Sequence, residues 1–308
     1  MMEFVIEWFQ EPNALWVISG TTLLGISSGV LGSFAFLRRR GLMGDVLAHA
    51  ALPGICLAFL FTGSKNPMMF MIGAIVSGVL ATLAIHLITQ FSRIKEDTAL
   101  GLVLSIFFGT GIVFLTKIQH SQNGNQSGLD KFLFGQSASL IESDILVMGI
   151  SAAVVILVSL LLFKEFKLLC FDAQFGATLG LPIRFLDLLL MFLLVVTVVN
   201  GLQAVGIVLM TALLITPAAA ARYWTERFEF MVLIAAGIGG LSGILGTIVS
   251  GRVEHVSTGP VIVIVATFLF FLSFLFAPNR GLLHRWYRRY QFQNKSDHKR
   301  MEGGEILD

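Results

Sequence analysis

A chain of 308 residues that is 56% hydrophobic and 13% charged, with a mean hydropathy of +0.84, is too apolar for a water-soluble domain, where about a quarter of residues carry charge. Its net charge of +2 shows no basic excess, and no nucleic-acid partner is expected. Cys56 and Cys170 lie in different segments without metal-ligand spacing, which excludes a disulfide framework and leaves both as packing residues.

Apolar runs of about 18 or more residues recur along nearly the whole chain, the pattern of an all-α polytopic membrane protein. They are too long and too uniform for barrel strands, and lipid offers no partner for unpaired backbone groups. Nine spans are predicted in chain order: 15–37, 42–61, 68–89, 99–116, 143–163, 183–199, 205–221, 230–250 and 260–276. The first basic side chain is Arg38, so no cleavable signal peptide is expected. Gly25 and Gly29 in the first span, and Gly239 and Gly243 in the eighth, are small-residue pairs that either permit close backbone approach or reflect the ordinary glycine enrichment of membrane helices. Residues 1–283 form the predicted transmembrane domain. Residues 284–308 begin basic and aromatic and end polar, as a membrane-surface tail does.

Basic residues set the direction. With the N-terminus outside, all but Lys65, Lys117, Lys131 and Arg252 fall in inner loops or the tail. That partition predicts a cytoplasmic C-terminus and a multi-pass protein of the plasma membrane.

Within the second span, "GDVLAHAALPG" places Asp45 and His49 four residues apart, on one helical face. Both are costly in hydrocarbon, and an intramembrane ionisable pair is a functional candidate by default. A carboxylate oxygen and an imidazole nitrogen suit a divalent transition ion. Two ligands from one helix do not complete a site, so a second subunit is expected to supply two more. Pro53 and Gly54 follow one turn later, where they would kink the helix and expose carbonyls to the same cavity. The other titratable groups are read as follows: His86 as a packing histidine, His284 and His298 as tail residues, and His120, Glu254 and His255 as outer-loop groups that either guide a cation or dock a partner or are plain loop polarity. Asp187, near the inner end of the sixth span, is expected to snorkel to the surface or to pair with Arg184.

Several stretches together carry a family resemblance. "RRRGLMGDVLAHAALPGICLAF", "KEDTALGLVLSIFFGTGIVF", "DKFLFGQSASL", "VGIVLMTALLITPAAAAR" and "STGPVIVIVATFLFFLSFLFAPNRGLL" resemble, in the right order, the integral membrane permeases of ABC importers for manganese, zinc or iron. The resemblance implies that Asp45 and His49 line a metal site between two permease subunits. It also implies that "FDAQFGATLGLP", residues 171–182, is a cytoplasmic coupling segment seated on the ATPase. Phe171, Asp172, Phe175, Ala177 and Gly180 match that motif, with Ala177 and Gly180 its small residues. Charge counting had already put this loop inside. One departure is "VEHVSTGP", where the family often carries more acidic residues.

The expected function is therefore a permease subunit of an ATP-driven importer, not an enzyme, with no permanently bound cofactor and a transported metal as cargo. "DKFLFGQSASL" is more similar to the manganese branch than to the zinc branch. No Gly-Lys dipeptide occurs, so the phosphate-binding loop must lie on a separate ATP-binding cassette subunit. The expected partners are that subunit, an extracytoplasmic metal-binding protein, a second permease subunit (identical or homologous) and membrane lipid. A proton-coupled secondary transporter using Asp45 and His49 as a relay is the alternative that membrane pattern alone permits.

Overall fold

The computed structural model describes residues 12–63, 66–120, 142–252, 256–278, 281, 282 and 284. The described residues hold eleven helices and no strand: α1 Pro12–Leu37, α2 Met43–Thr62, α3 Pro67–Phe91, α4 Glu96–His120, α5 Glu142–Leu161, α6 Phe163–Phe171, α7 Ala173–Thr178, α8 Ile183–Ala204, α9 Ile207–Trp224, α10 Phe228–Ser250 and α11 Thr258–Phe276. Seven of these (α1, α2, α3, α4, α8, α10 and α11) are long and apolar enough to cross a membrane. The bent pair α5–α6 makes an eighth if it is one span. The span expected over 205–221 corresponds to α9, which lies outside that set.

Helix ends follow local chemistry. The Asn66 side chain accepts from Met68 N at 3.0 Å, with Pro67 opening α3, where its missing N–H costs nothing. Glu96 and Asp97 sit in the first turn of α4, and Lys117 and His120 in its last, each sign opposite to the helix dipole. The span expected over 143–163 ends sooner than predicted: α5 stops at Leu161 and α6 leaves at 70°. Aromatic packing explains the turn. Phe34 of α1 meets Phe163 and Phe166 of α6 and Phe228 of α10 edge-on at centroid distances of 5.9, 5.7 and 5.0 Å, and the first two contacts hold α6 against α1.

The small-residue pairs meet each other. A Cβ built on Gly25 would fall into the carbonyl of Gly239, one on Gly29 would stand 2.6 Å from the carbonyl carbon of Ala235, and one on Gly243 would be 2.5 Å from Thr21 O. Thus α1 and α10 touch backbone to backbone, and Thr21 Oγ1 and Thr247 Oγ1 bond across the seam at 2.9 Å. Where lipid removes the hydrophobic drive between helices, such van der Waals contact and hydrogen bonding hold the pair together. A second seam joins α2 to α3 at Gly54 and Gly73, and α8 runs through the middle with Leu190, Leu194, Val195 and Val198 fully buried.

Candidate functional site

α2 begins at Met43, where Gly44 lies against Thr211 and Leu214 of α9. This close approach fixes the start of the helix. Asp45 stands in its first turn. His49, one turn on, brings Nε2 to 3.4 Å from Asp45 Oδ1. The imidazole is held edge-on by Phe108 of α4, with ring centroids 4.8 Å apart. Its Nδ1 is buried without a hydrogen-bond partner.

The pair is nevertheless open on one side. The Asp45 side chain is 41% exposed and that of His49 21%. Among the described residues, no third His, Cys, Asp or Glu joins them. A transition ion takes four or more donors, so these two side chains alone would not complete a metal site. Beside the opening runs α4. Its exposed Gly101, Ser105 and Gly109 recur every fourth residue, and a Cβ on either glycine would meet nothing within 4 Å.

Pro53 and Gly54 lie inside an unbroken α2 and are buried. Asp45, His49 and Pro53 share one helical stripe by their spacing of four. Proline has no N–H to donate to the carbonyl four residues back, and that carbonyl belongs to His49. Gly54 serves a different need: a Cβ there would come within 2.6 Å of both the Gly73 carbonyl carbon and Ser77 Cβ. Ser77 in turn donates to Ala50 O at 2.6 Å, tying α3 to the turn that carries His49. An apolar groove of about 350 Å³ farther along α2 and α3 is lined by Leu57, Phe61, Ile72 and Leu80 and holds no ionisable group.

At the end of the bundle where α2 begins, residues 171–182 form a capped helix and a turn. Asp172 caps α7 by accepting from Phe175 N at 2.9 Å. Gly180 has φ +83°, a left-handed conformation that L side chains adopt at a cost of about 1–2 kcal/mol, and the helix stops there. Ala177 and Gly180 are exposed. Phe171, Phe175 and Leu179 are exposed by 61, 53 and 61%, an apolar row at four-residue spacing. Gly176 was not singled out by its motif. It is buried, and a Cβ there would meet Ile183 Cδ1 at 2.8 Å and Leu168 at 3.4 Å, so α7 is clamped to α6 and α8.

Asp187 corrects its sequence expectation. It faces inward from α8 and pairs with Arg38 and Arg40, the latter at 2.8 Å, while Arg184 points outward. Two guanidiniums on the turn before α2 outcompete one exposed neighbour on the same helix. Arg40 also pairs with Glu96 of α4. Sequence spacing could not find this cluster, because its members are far apart in the chain. His120 Nδ1 is engaged by Thr116 O of its own helix at 2.8 Å. His86 is half-buried on α3, and His284 is exposed. Glu254, His255, His298 and the stretch "DKFLFGQSASL" lie outside the described residues. Cys56 and Cys170 are free thiols; the buried Cys56 lies 3.8 Å from Gly111 O.

Residues 10–277 match the family model described as the ABC 3 transport family. The chain is 50% identical over 301 residues to the manganese transport system membrane protein MntC of Bacillus subtilis (strain 168), covering 98% of this chain and 69% of that protein. It is 42% identical over 288 residues to the zinc transport system membrane protein TroC of Treponema pallidum (strain Nichols), covering 94 and 97%. Among solved structures, PsaBC from Streptococcus pneumoniae in complex with Fab superposes with a TM-score of 0.80 at 31% identity, covering 94% of this chain and all of that one.

Proposed function

Because the chain belongs to the ABC 3 transport family, we propose that it is the membrane-spanning permease subunit of an ATP-driven importer of divalent transition metal ions, with manganese the favoured cargo. It is a transport component and not an enzyme; hydrolysis falls to a separate ATP-binding cassette subunit. The half-site carries the metal reading. Asp45 and His49 are brought together on a partly open face, with two donors where an ion needs at least four. A second permease subunit laid along Gly101, Ser105 and Gly109 of α4 would bring an equivalent pair opposite and complete the set. The His49 carbonyl, to which Pro53 has no N–H to donate, offers a further oxygen on the same helix.

Manganese is favoured by the relative named for it at 50% identity, against 42% for the relative named for zinc. Oxygen and nitrogen donors without thiolate agree with that choice. The row of Phe171, Phe175 and Leu179, with Asp172 as cap and Ala177 and Gly180 as small residues, is the surface we assign to the ATPase. Metal arrives on an extracytoplasmic binding protein. Nine spans, an outer N-terminus, a transmembrane domain over 1–283 and a cytoplasmic tail over 284–308 complete the arrangement. The transport cycle is alternating access: an outward-open pathway receives the ion, ATP-driven closure moves the two permeases, and the ion leaves inward past Asp45.

The test is uptake of manganese, zinc and iron in cells with and without this chain. Loss of ATP-dependent manganese uptake on deletion is expected. Uptake that persists without the ATPase and collapses with the proton gradient would instead favour a proton-coupled carrier.

A further inference from the structure

Four charged side chains outside the metal pair join the elements that hold it. Arg38 and Arg40 both pair with Asp187, and Arg40 reaches Glu96 as well. Their side chains are 14–17% exposed, apart from Glu96 at 39%. Two cations and two anions balance, so removing one leaves a partly buried charge without a counterpart.

The position of each partner matters more than the pairing itself. Asp187 lies in the second turn of α8, five residues beyond Pro182, where the segment assigned to the ATPase ends. That segment is clamped to α8 through Gly176 and Ile183. Arg40 lies in the turn that launches α2: its N–H donates to Ala35 O at 2.9 Å, and its carbonyl accepts from Met43 N at 3.0 Å. Asp45 follows two residues after Met43. Between the two arginines, Arg39 holds φ +57°, a left-handed turn that a non-glycine residue adopts only where its surroundings impose it. Glu96 opens α4, whose Phe108 braces the His49 ring.

We propose that Asp187 is a positioning residue for transport: through Arg38 and Arg40 it passes displacement of the docking segment to the start of the metal-bearing helix. The proposal rests on the importer reading above. A charged link suits the task because its two sides can shift together without unpacking a core. Apolar contacts between α8 and the α1–α2 turn would hold the turn in place but would transmit direction less specifically.

The experiment uses the complete importer, with its ATPase and metal-binding protein, in liposomes. It measures ATPase co-purification, ATP hydrolysis and uptake of radioactive manganese for wild type, Asp187→Asn, Asp187→Glu and Arg38→Gln. Asp187→Asn should retain the ATPase and hydrolyse ATP while manganese moved per ATP falls about tenfold, within the range that coupling networks carry. Asp187→Glu should recover most of that ratio. Arg38→Gln, which leaves the Arg40 pair in place, should show a smaller loss of the same kind and supplies the test if Asp187→Asn does not fold. An unchanged ratio in the asparagine variant, or uptake lost only in proportion to lost ATPase, would overturn the proposal and leave the cluster a static brace. A wild-type complex without ATP-driven uptake would overturn the importer reading, and this inference with it.

Discussion

Gly54→Ala tests whether the seam between α2 and α3 sets the position of the metal pair. The added Cβ would stand 2.6 Å from the Gly73 carbonyl carbon and from Ser77 Cβ, whereas carbon atoms rest about 3.5–4.0 Å apart. The two helices must therefore separate by about 1 Å. The obstacle on one side is backbone, which cannot rotate away, so the overpacking cost lies near the upper end of its usual range, about 3 kcal/mol. Alanine gains about 1 kcal/mol in helix propensity over glycine. The net loss is about 2 kcal/mol, or roughly 4 °C in thermal midpoint at about 2 °C per kcal/mol. A shift of about 1 Å also exceeds the roughly 0.2 Å tolerance of metal–ligand distances, so manganese uptake should fall even where the variant is folded. Thermal unfolding of the purified complex and uptake in liposomes measure the two effects. Gly237→Ala is the control, since nothing lies within 4 Å of a Cβ there; it should melt at or slightly above wild type. A Gly54→Ala protein that melts and transports as wild type would refute the reasoning.

Other substitutions address the site and its partners. Asp45→Ala and His49→Ala should each abolish metal uptake while membrane insertion, measured by immunoblot of the membrane fraction, is unchanged; near-normal uptake by both would reject them as ligands. Gly109→Leu should leave the thermal midpoint of the single subunit intact, because the space at its Cβ is open. It should weaken association of two permeases in cross-linking or light scattering, and an unaffected dimer would place the interface elsewhere. Gly180→Leu places a side chain at φ +83°, a local cost of about 1–2 kcal/mol, and inserts bulk beside the exposed apolar row. Co-purified ATPase should drop severalfold; unchanged recovery would refute the docking assignment.

What the sequence reveals here depends on distance along the chain. The Asp45–His49 pair is legible because four-residue spacing puts both groups on one face whatever the helix packs against. The glycine pairs at 25/29 and 239/243 signal close approach, but that each is the other's partner emerges only in the fold. Hydropathy ends the span within two residues of the break at Leu162, because Lys164, Glu165 and Lys167 follow, but it cannot see the 70° turn, where Phe163 and Phe166 pack on Phe34 of α1. The expected Arg184–Asp187 pair fails for a related reason. Neighbours on a helix are visible in sequence, and the stronger partners across the bundle, Arg38 and Arg40, are not. Gly176 carries no signal in its own motif, because the side chain that requires a glycine there, Ile183, lies on the next helix.

Two backbone-to-backbone seams divide the load within this protein. Between α1 and α10, and again between α2 and α3, there are no side-chain rotamers at the closest points to yield under stress. Interfaces of that kind move as solid bodies. The shortest covalent bridge from one body to the other is the five-residue turn 38–42, with its left-handed Arg39. Any swing of one body relative to the other must bend the chain at that bridge, three residues ahead of Asp45, the aspartate proposed to meet the ion.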